Sequence, residues 1–343
     1  MTVASPEISV VIPAYNAERY IGEAIRSILA QTMRNIEVLV VNDGSTDRTL
    51  GEIEACRRED DRVVLIDEGK LGFVEALNTA IRRSRGSYIA RMDADDVALP
   101  HRLARQKAFL DERPDIILCG SWARTFGQAT SKVVRYPSDP DDLRCAVLFY
   151  SALNHPSVMI RRSLFSEEGI YYDPACAESA DFGLWVRCAR DHRLANVPEV
   201  LLNYRVHTAQ VTQADAPRQG MLAKQIRLDA LAGIGLAPTP RQLELHDALG
   251  NWRFTGDRAF VTEVGEWLEI IRAWNRRTRA LPEGPLEGLL ADYWFSTCTC
   301  NSQLGRWVHS TYFRSPLASG KSLPLRRRVR FFLKTLAAAG TRS

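Results

Sequence analysis

The chain has 343 residues, is 45% hydrophobic and 25% charged, and carries a formal net charge of +4. That length accommodates one large α/β domain plus an appended piece, and the near-balanced charge excludes a bulk polyanion as the main partner. The seven cysteines are scattered and form no C-x-x-C pair, which excludes a zinc ribbon and fits core thiols in a reducing compartment.

The N-terminus lacks a basic segment ahead of a long apolar core, and no stretch approaches about 18 uncharged apolar residues. Neither a signal peptide nor a transmembrane helix is therefore expected, and the expected location is the cytoplasm. There are no internal repeats and no low-complexity segment.

Ile8 to Ile12 is a continuous apolar run closed by Pro13, the pattern of a strand covered on both faces. After the loop Pro13-Ala14-Tyr15-Asn16, residues Ile21, Ala24, Ile25, Ile28 and Leu29 recur at helical spacing, predicting a helix from about Glu18 to Gln31. Ile36 to Val41 is a second buried strand. The turn Asn42 to Asp47 is rich in helix-capping groups and opens a charged helix to about Arg58. Val63 to Ile66 is a third strand. Gly69-Lys70-Leu71-Gly72 then turns into a helix bearing Phe73, Leu77, Ala80 and Ile81.

Ser87 to Met92 is the central strand, and it runs into the carboxylates Asp93, Asp95 and Asp96. Carboxylates this close repel one another unless a cation lies between them, and Mg²⁺ or Mn²⁺ suits oxygen ligands and substrate phosphates. A polar turn before the helix near Leu99-Pro100 is the other reading. The β-α-β-α-β-α-β order predicts a mostly parallel sheet, whose ligands bind beyond the carboxyl ends of the strands. Pro13, Asn42-Asp43 and Asp93-Asp95 all stand at such ends and should meet in one crevice.

These groups suit a nucleoside diphosphate. Tyr15 can stack on a base or simply pack. Asp43 can accept from a base N–H, for example of uracil, or bond its own turn. Asp93 can accept from a ribose hydroxyl, and Asp95 can hold the metal. No glycine-rich phosphate loop of the G-x-G-x-x-G or G-x-x-x-x-G-K-[ST] kind is present.

Ser9 to Asn16, Val40 to Asp47 and Met92-Asp93-Ala94-Asp95-Asp96, in this order and spacing, resemble a family 2 glycosyltransferase of the GT-A fold over roughly residues 8 to 210. The resemblance implies an α/β fold with a mostly parallel sheet flanked by helices. It also implies inverting transfer of a sugar from a nucleotide diphospho-sugar, UDP-linked for preference, to an acceptor hydroxyl. It places Pro13, Ala14, Tyr15, Asn16 and Asp43 at the nucleoside, and Asp93 and Asp95 as the D-x-D acids. Glu18 stands where an acid near the base is frequent. Lys70 replaces a frequent Asn of the third loop, and Leu77 a frequent Arg. The expected setting is assembly of surface polysaccharide or glycolipid, with a glycan or lipid-linked acceptor.

Beyond the cluster, Pro100 to Glu112 is predicted as a helix. Ile116 to Cys119, Trp122 to Phe126 and Val133-Val134 are predicted strands, and Asp139 and Asp141 open a helix through Leu148. His155, in a His-Pro segment the family often places near the acceptor, is either an acceptor-side group or a hydrogen-bonded core histidine. Transfer needs a base for the acceptor proton, and Asp173, Glu178 and Asp181 are the candidates. In Ala180-Asp181-Phe182-Gly183-Leu184-Trp185, Asp181 matches the second acid of the family's Glu/Gln-Asp-aromatic-x-Leu-Trp pattern, which is its base. Ala180 replaces the first acid or amide, and Glu178 is the fallback. The other role for Asp181 is a first-turn helix acid. The strand Val200 to His207 ends in a Tyr-Arg-x-His segment that the family sets near the diphosphate, with His207 a metal ligand beside Asp95 or a surface histidine.

The sequence divides into a catalytic domain of 1–212, with its nucleotide-sugar half at about 1–98, and a helical region of 213–343. Helices are expected at 218–233, 239–250, 258–275 and 285–299. Trp252, Trp267, Trp274, Trp294 and Trp307 are expected to pack them. The tail from Pro324 to Lys334 mixes a basic cluster with apolar bulk; it is read as a segment lying on an anionic membrane, or as a solvated terminus. Nucleic acid is not expected as a partner, since no recognition module accompanies the charge. Two other readings remain at this stage: a nucleotidyltransferase, and a nucleotide-sugar-binding subunit without turnover.

Overall fold

A computed structural model describes residues 5–207, 216–319 and 325–340. The chain forms two compact units. One comprises Met1–Leu143 and Ser151–Ala223, the other Arg144–Tyr150 and Lys224–Ser343. The boundary expected at 212/213 lies outside the described residues.

The first unit is built on one sheet. Its strands are β1 (Ile8–Ala14), β2 (Ile36–Asn42), β3 (Val63–Ile66), β4 (Tyr88–Arg91), β5 (Val97–Ala98), β6 (Ile116–Gly127), β7 (Val133–Val134), β8 (Met159–Arg161) and β9 (Arg193–Val206). They run in the order β3-β2-β1-β4-β8-β6-β9-β5, with β7 paired to β6. Pairing is parallel from β3 through β4, as the alternating α/β pattern requires. Beyond β4 the sheet is mixed, because β8 runs antiparallel to both β4 and β6. Every residue of β1 and β2 is buried. Their unbroken apolar runs follow from cover on both faces.

Helices α1 (Ile21–Leu29), α2 (Thr49–Glu59) and α3 (Phe73–Arg83) are the crossovers. α1 buries Ile21, Ala24, Ile25 and Ile28. α3 buries Leu77, Ala80 and Ile81, and Phe73 is 40% exposed. It opens the helix at the strand ends, where there is no sheet to cover it. α4 (Arg102–Asp111), α5 (Pro140–Ala146), α6 (Ser163–Ser166) and α7 (Ala180–Asp191) follow. The two strands expected across Ile116 to Phe126 are one strand, irregular in its pairing with β9 around Ser121–Ala123.

Gly86 lies where the chain crosses β1. A Cβ there would stand 2.6 Å from the Ser9 backbone nitrogen and 2.8 Å from the Ile8 carbonyl carbon. Backbone inside a sheet cannot give way cheaply. Gly86→Ala is expected to cost about 2–3 kcal/mol and to lower Tm by roughly 5–10 °C in a thermal melt.

The second unit is helical: α8 (Ala216–Gly233) from Lys224 onward, α9 (Pro240–Gly250), α10 (Arg258–Thr278), α11 (Glu283–Cys300), α12 (Arg306–Arg314) and α13 (Leu325–Gly340). The first four fall where the hydrophobic periodicity places them. Phe149, His246, Trp267 and Tyr293 form a continuous ring cluster at its centre. His246 Nε2 donates to the Leu148 carbonyl at 2.8 Å and its Nδ1 accepts from the Trp267 indole, while burial lowers its pKa to about 4. Trp267 and Trp294 are buried, as expected of packing residues. Trp252, grouped with them from sequence, is 60% exposed. All seven cysteines are free thiols. Among the described residues, no helix is long and apolar enough to cross a membrane.

Candidate active site

Met92 donates to the Val11 carbonyl and Arg91 to that of Val158, so β4 delivers its carboxyl end beside that of β1. The chain then turns through Asp93 to Asp96 and enters β5, whose Val97 and Ala98 pair antiparallel with Asn203 and Leu202 of β9. This pairing brings the end of β9 against the carboxylates. The Arg205 backbone N–H donates to Asp96 Oδ1 at 2.8 Å, and Arg205 Nε donates to the Asp95 carbonyl at 2.7 Å. His207 Nε2 lies 2.8 Å from Asp95 Oδ2. Arg205 is itself held between the Tyr20 and Phe126 rings, with its guanidinium paired to Glu23.

Oxygens of Asp93, Asp95 and Asp96 lie within 4.8 Å of one another. Burial, then the charges of Asp93 and Asp95, pushes the Asp96 carboxyl well above its ordinary range. Burial also raises Asp93; Arg91 opposes this, and Asp95 and Asp181 add to it. Asp96 Oδ2 is buried with no hydrogen-bond partner. Three hard oxygen donors, mutually repelling, with one buried oxygen unsatisfied, fit a divalent cation such as Mg²⁺ or Mn²⁺. Asp95 and His207, the two ligands expected from sequence, are adjacent. Asp96 is the member of the set that sequence reasoning left out, although it is the third acid of the same run.

The donor-side residues form a stitched pair of loops. Asp43 N–H donates to the Ala14 carbonyl at 2.8 Å, directly beyond the Pro13–Val41 and Ala14–Asn42 pairing. Asn16, at φ 46°, accepts from Thr46 N–H and donates its own N–H to Ser45. Glu18 accepts from the Arg48 N–H, so it ties this loop to the start of α2. Asp43 Oδ1 accepts from the Leu71 and Gly72 amides at 2.6 and 2.8 Å and so fixes the third loop. Gly44, at φ 67°, lets that loop approach: a Cβ would lie 2.9 Å from that of Lys70. The Lys70 ammonium sits 5.2 Å from the centroid of the Tyr15 ring, which is 49% exposed. Tyr15 is thus not core packing.

Asp43 is linked to the carboxylate cluster through the third loop. Phe73 follows Gly72, and its ring lies 6.1 Å from that of His155 and 5.6 Å from the Arg91 guanidinium. Arg91, on β4, is buried and pairs with Asp93, while its Nε and Nη1 have no partner. No motif distinguishes Arg91 in the sequence; an arginine inside a strand otherwise built of apolar residues is the signal that was available. His155 Nε2 is 2.9 Å from the Tyr172 hydroxyl, and its ring packs edge-on to Trp185. Burial, and then the Arg91 charge, holds His155 well below the usual histidine range, so it is neutral.

Asp181 lies in the first turn of α7 but caps nothing. The helix start makes no side-chain cap hydrogen bond. Asp181 Oδ2 accepts instead from Ser151 Oγ at 2.8 Å. Its charge acts on both Asp93 and the Tyr172 hydroxyl, so it faces the same interior as the β4 carboxylates. Glu178 is drawn away, its Oε1 paired with Arg218 at 2.9 Å. Asp173 caps the 3-10 turn Pro174–Ser179 by accepting from Ala175 N–H. Asn78 exchanges hydrogen bonds with the Tyr172 backbone, so α3 holds the segment carrying Tyr172 in place.

A sequence profile described as glycosyl transferase family 2 matches residues 9–169. An uncharacterized glycosyltransferase of Haemophilus influenzae is 33% identical over 233 residues, spanning 65% of this chain and 72% of the relative. The chain belongs to glycosyl transferase family 2. The O-antigen biosynthesis glycosyltransferase WbnJ of Escherichia coli is 30% identical, over 58% of this chain and 80% of its own. Two solved structures share the glycosyltransferase's fold. S. aureus TarS 1-349 in complex with UDP-GlcNAc aligns at TM-score 0.56 and 17% identity, covering 98% of this chain and 91% of that one. The mannosyltransferase PcManGT of Pyrobaculum calidifontis, in complex with GDP-Man and Mn²⁺, aligns at 0.52 and 18%, covering 99% and 87%. With these neighbours, the mixed sheet of the first unit is a GT-A fold.

Proposed function

We propose that this glycosyltransferase moves a sugar from a nucleotide diphospho-sugar to an acceptor hydroxyl with inversion at the anomeric carbon. The observation that carries the reading is that the Asp181 carboxylate, held by Ser151, lies near enough to Asp93 for its charge to raise that carboxyl. Pro13, Ala14, Tyr15, Asn16, Glu18 and Lys70 shape the nucleoside site. Asp43 keeps Oδ2 for a base N–H, for example that of uracil, and Asp93 meets the ribose. Asp95, Asp96 and His207 would hold Mg²⁺ or Mn²⁺, which when bound neutralises charge on the leaving diphosphate.

In the transfer, the acceptor oxygen bonds to the anomeric carbon as the bond from that carbon to the diphosphate oxygen breaks. Asp181 takes the acceptor's proton, and Ser151 holds its carboxylate in place. His155, neutral and anchored by Tyr172, lies on the acceptor side as an unprotonated wall rather than a base, while Glu178, paired with Arg218, takes no part. The O-antigen role named for WbnJ makes a surface polysaccharide or glycolipid the favoured acceptor class.

The reading is checked by a thermal-shift screen of UDP-, GDP- and dTDP-sugars with and without Mn²⁺, followed by product analysis. A cation-dependent rise with one nucleotide, and release of free nucleoside diphosphate with a product of inverted anomeric configuration, are expected. Release of pyrophosphate would mean nucleotidyl transfer instead.

A further inference from the structure

The net charge of +4 conceals an asymmetry: Tyr293 to Ser343 carries nine Lys and Arg residues and no acid, so the chain before it is net acidic. The basic stretch includes α12 and α13 of the second unit. α13 turns Phe331 and Thr335 inward, at 1% and 2% exposure. Phe331 packs on Phe295, His309 and Tyr312. This contact fixes which side of α13 faces out. On that outer side Val329, Phe332 and Leu333 are 46%, 45% and 57% exposed. Phe313 of α12 is exposed as well, and both it and Phe332 border the His309 ring. Arg314, Arg326, Arg330 and Lys334 are exposed around them. Pro324, the first residue of the tail singled out from sequence, lies outside the described residues.

We propose that this face of α12 and α13 docks on an anionic lipid surface. Large apolar side chains left in water among cations, with no acid among them, are the composition of a helix that lies in a bilayer interface. The rings and Leu333 would enter the boundary between headgroups and acyl chains while the guanidinium groups stay with lipid phosphates. Charge decides between occupants. A second copy seated symmetrically would oppose this face to itself, cation against cation with no acid to pair. A nucleic acid would use the cations but leave Val329, Phe332 and Leu333 in water. An anionic bilayer uses both.

The test is co-sedimentation of the full chain, with no sugar donor added, on phosphatidylcholine vesicles with and without phosphatidylglycerol, at low and high salt. The outcome is therefore independent of the proposed reaction. Binding is expected only to the anionic vesicles, reduced by salt. The double variants Arg326→Glu/Arg330→Glu and Phe332→Ser/Leu333→Ser are each expected to lower partition at least about tenfold. Because these side chains are exposed, Tm and basal donor turnover should stay at parent values. If either variant melts early, the salt and lipid dependence of the parent still decides between binding and no binding. Equal binding to neutral vesicles, no binding to anionic ones, parent-like binding by both variants, or a dimer in solution that the variants split would each overturn the proposal.

Discussion

Asp181→Asn is expected to lower kcat about 10²- to 10⁴-fold while leaving donor affinity within about threefold. Asn keeps the shape of Asp and can still accept from Ser151, which donates to Asp181 Oδ2 at 2.8 Å. What it loses is the capacity to take a proton. A carboxylate that served only the helix dipole would give the opposite pattern, costing about 0.3–1 kcal/mol of stability with turnover unchanged. Glu178→Gln is the internal control. Glu178 already pairs with Arg218, and the loss expected there is no more than about threefold. Turnover is read from released nucleoside diphosphate and affinity from calorimetry. Parent-like kcat in Asp181→Asn, with donor still bound, would remove Asp181 as the base.

Asp95→Ala is expected to abolish the rise in Tm that Mn²⁺ gives the parent. At a cation level about 100-fold above Kd, that rise corresponds to about 2.7 kcal/mol. The sign of its pH dependence follows from the carboxyl shifts. Burial and like charges raise both Asp93 and Asp96 in the folded chain. A carboxyl raised on folding leaves stability intact while protonated; stability then falls as pH climbs from the unfolded value of about 3.9 through the folded one. A cation takes the place of those protons. The Mn²⁺-induced rise in the parent should therefore be larger near about pH 7.5 than near about pH 5.5. Without cation at neutral pH, Asp95→Ala should melt no lower than the parent, because it removes one of the repelling charges. A variant that keeps the Mn²⁺ shift would place the cation elsewhere.

Local pattern determined the β1–β4 part of the sheet. Ile8 to Ile12 and Ile36 to Val41 had to be strands covered on two faces, and the alternation of such runs with amphipathic helices left parallel pairing as the solution. Parallel strands share one carboxyl end, so Pro13, Asp43 and Asp93 were bound to meet. Trp252 follows its expected packing role only in part: its ring borders Phe254 and Tyr293 yet stays 60% exposed.

The tertiary structure alone decided what each acid does. Asp96 is buried where β5 pairs with β9; burial raises its pKa, and the Arg205 amide, 109 residues further along the chain, opposes that rise. Asp181 accepts from Ser151, 30 residues earlier, a contact that only the fold makes. His155 is neutral because Arg91 and dense packing surround it. Burial and hydrogen bonding between distant segments set proton affinity together with the charges of near neighbours such as Asp93 and Asp95, and only the neighbours' charges are legible along the sequence.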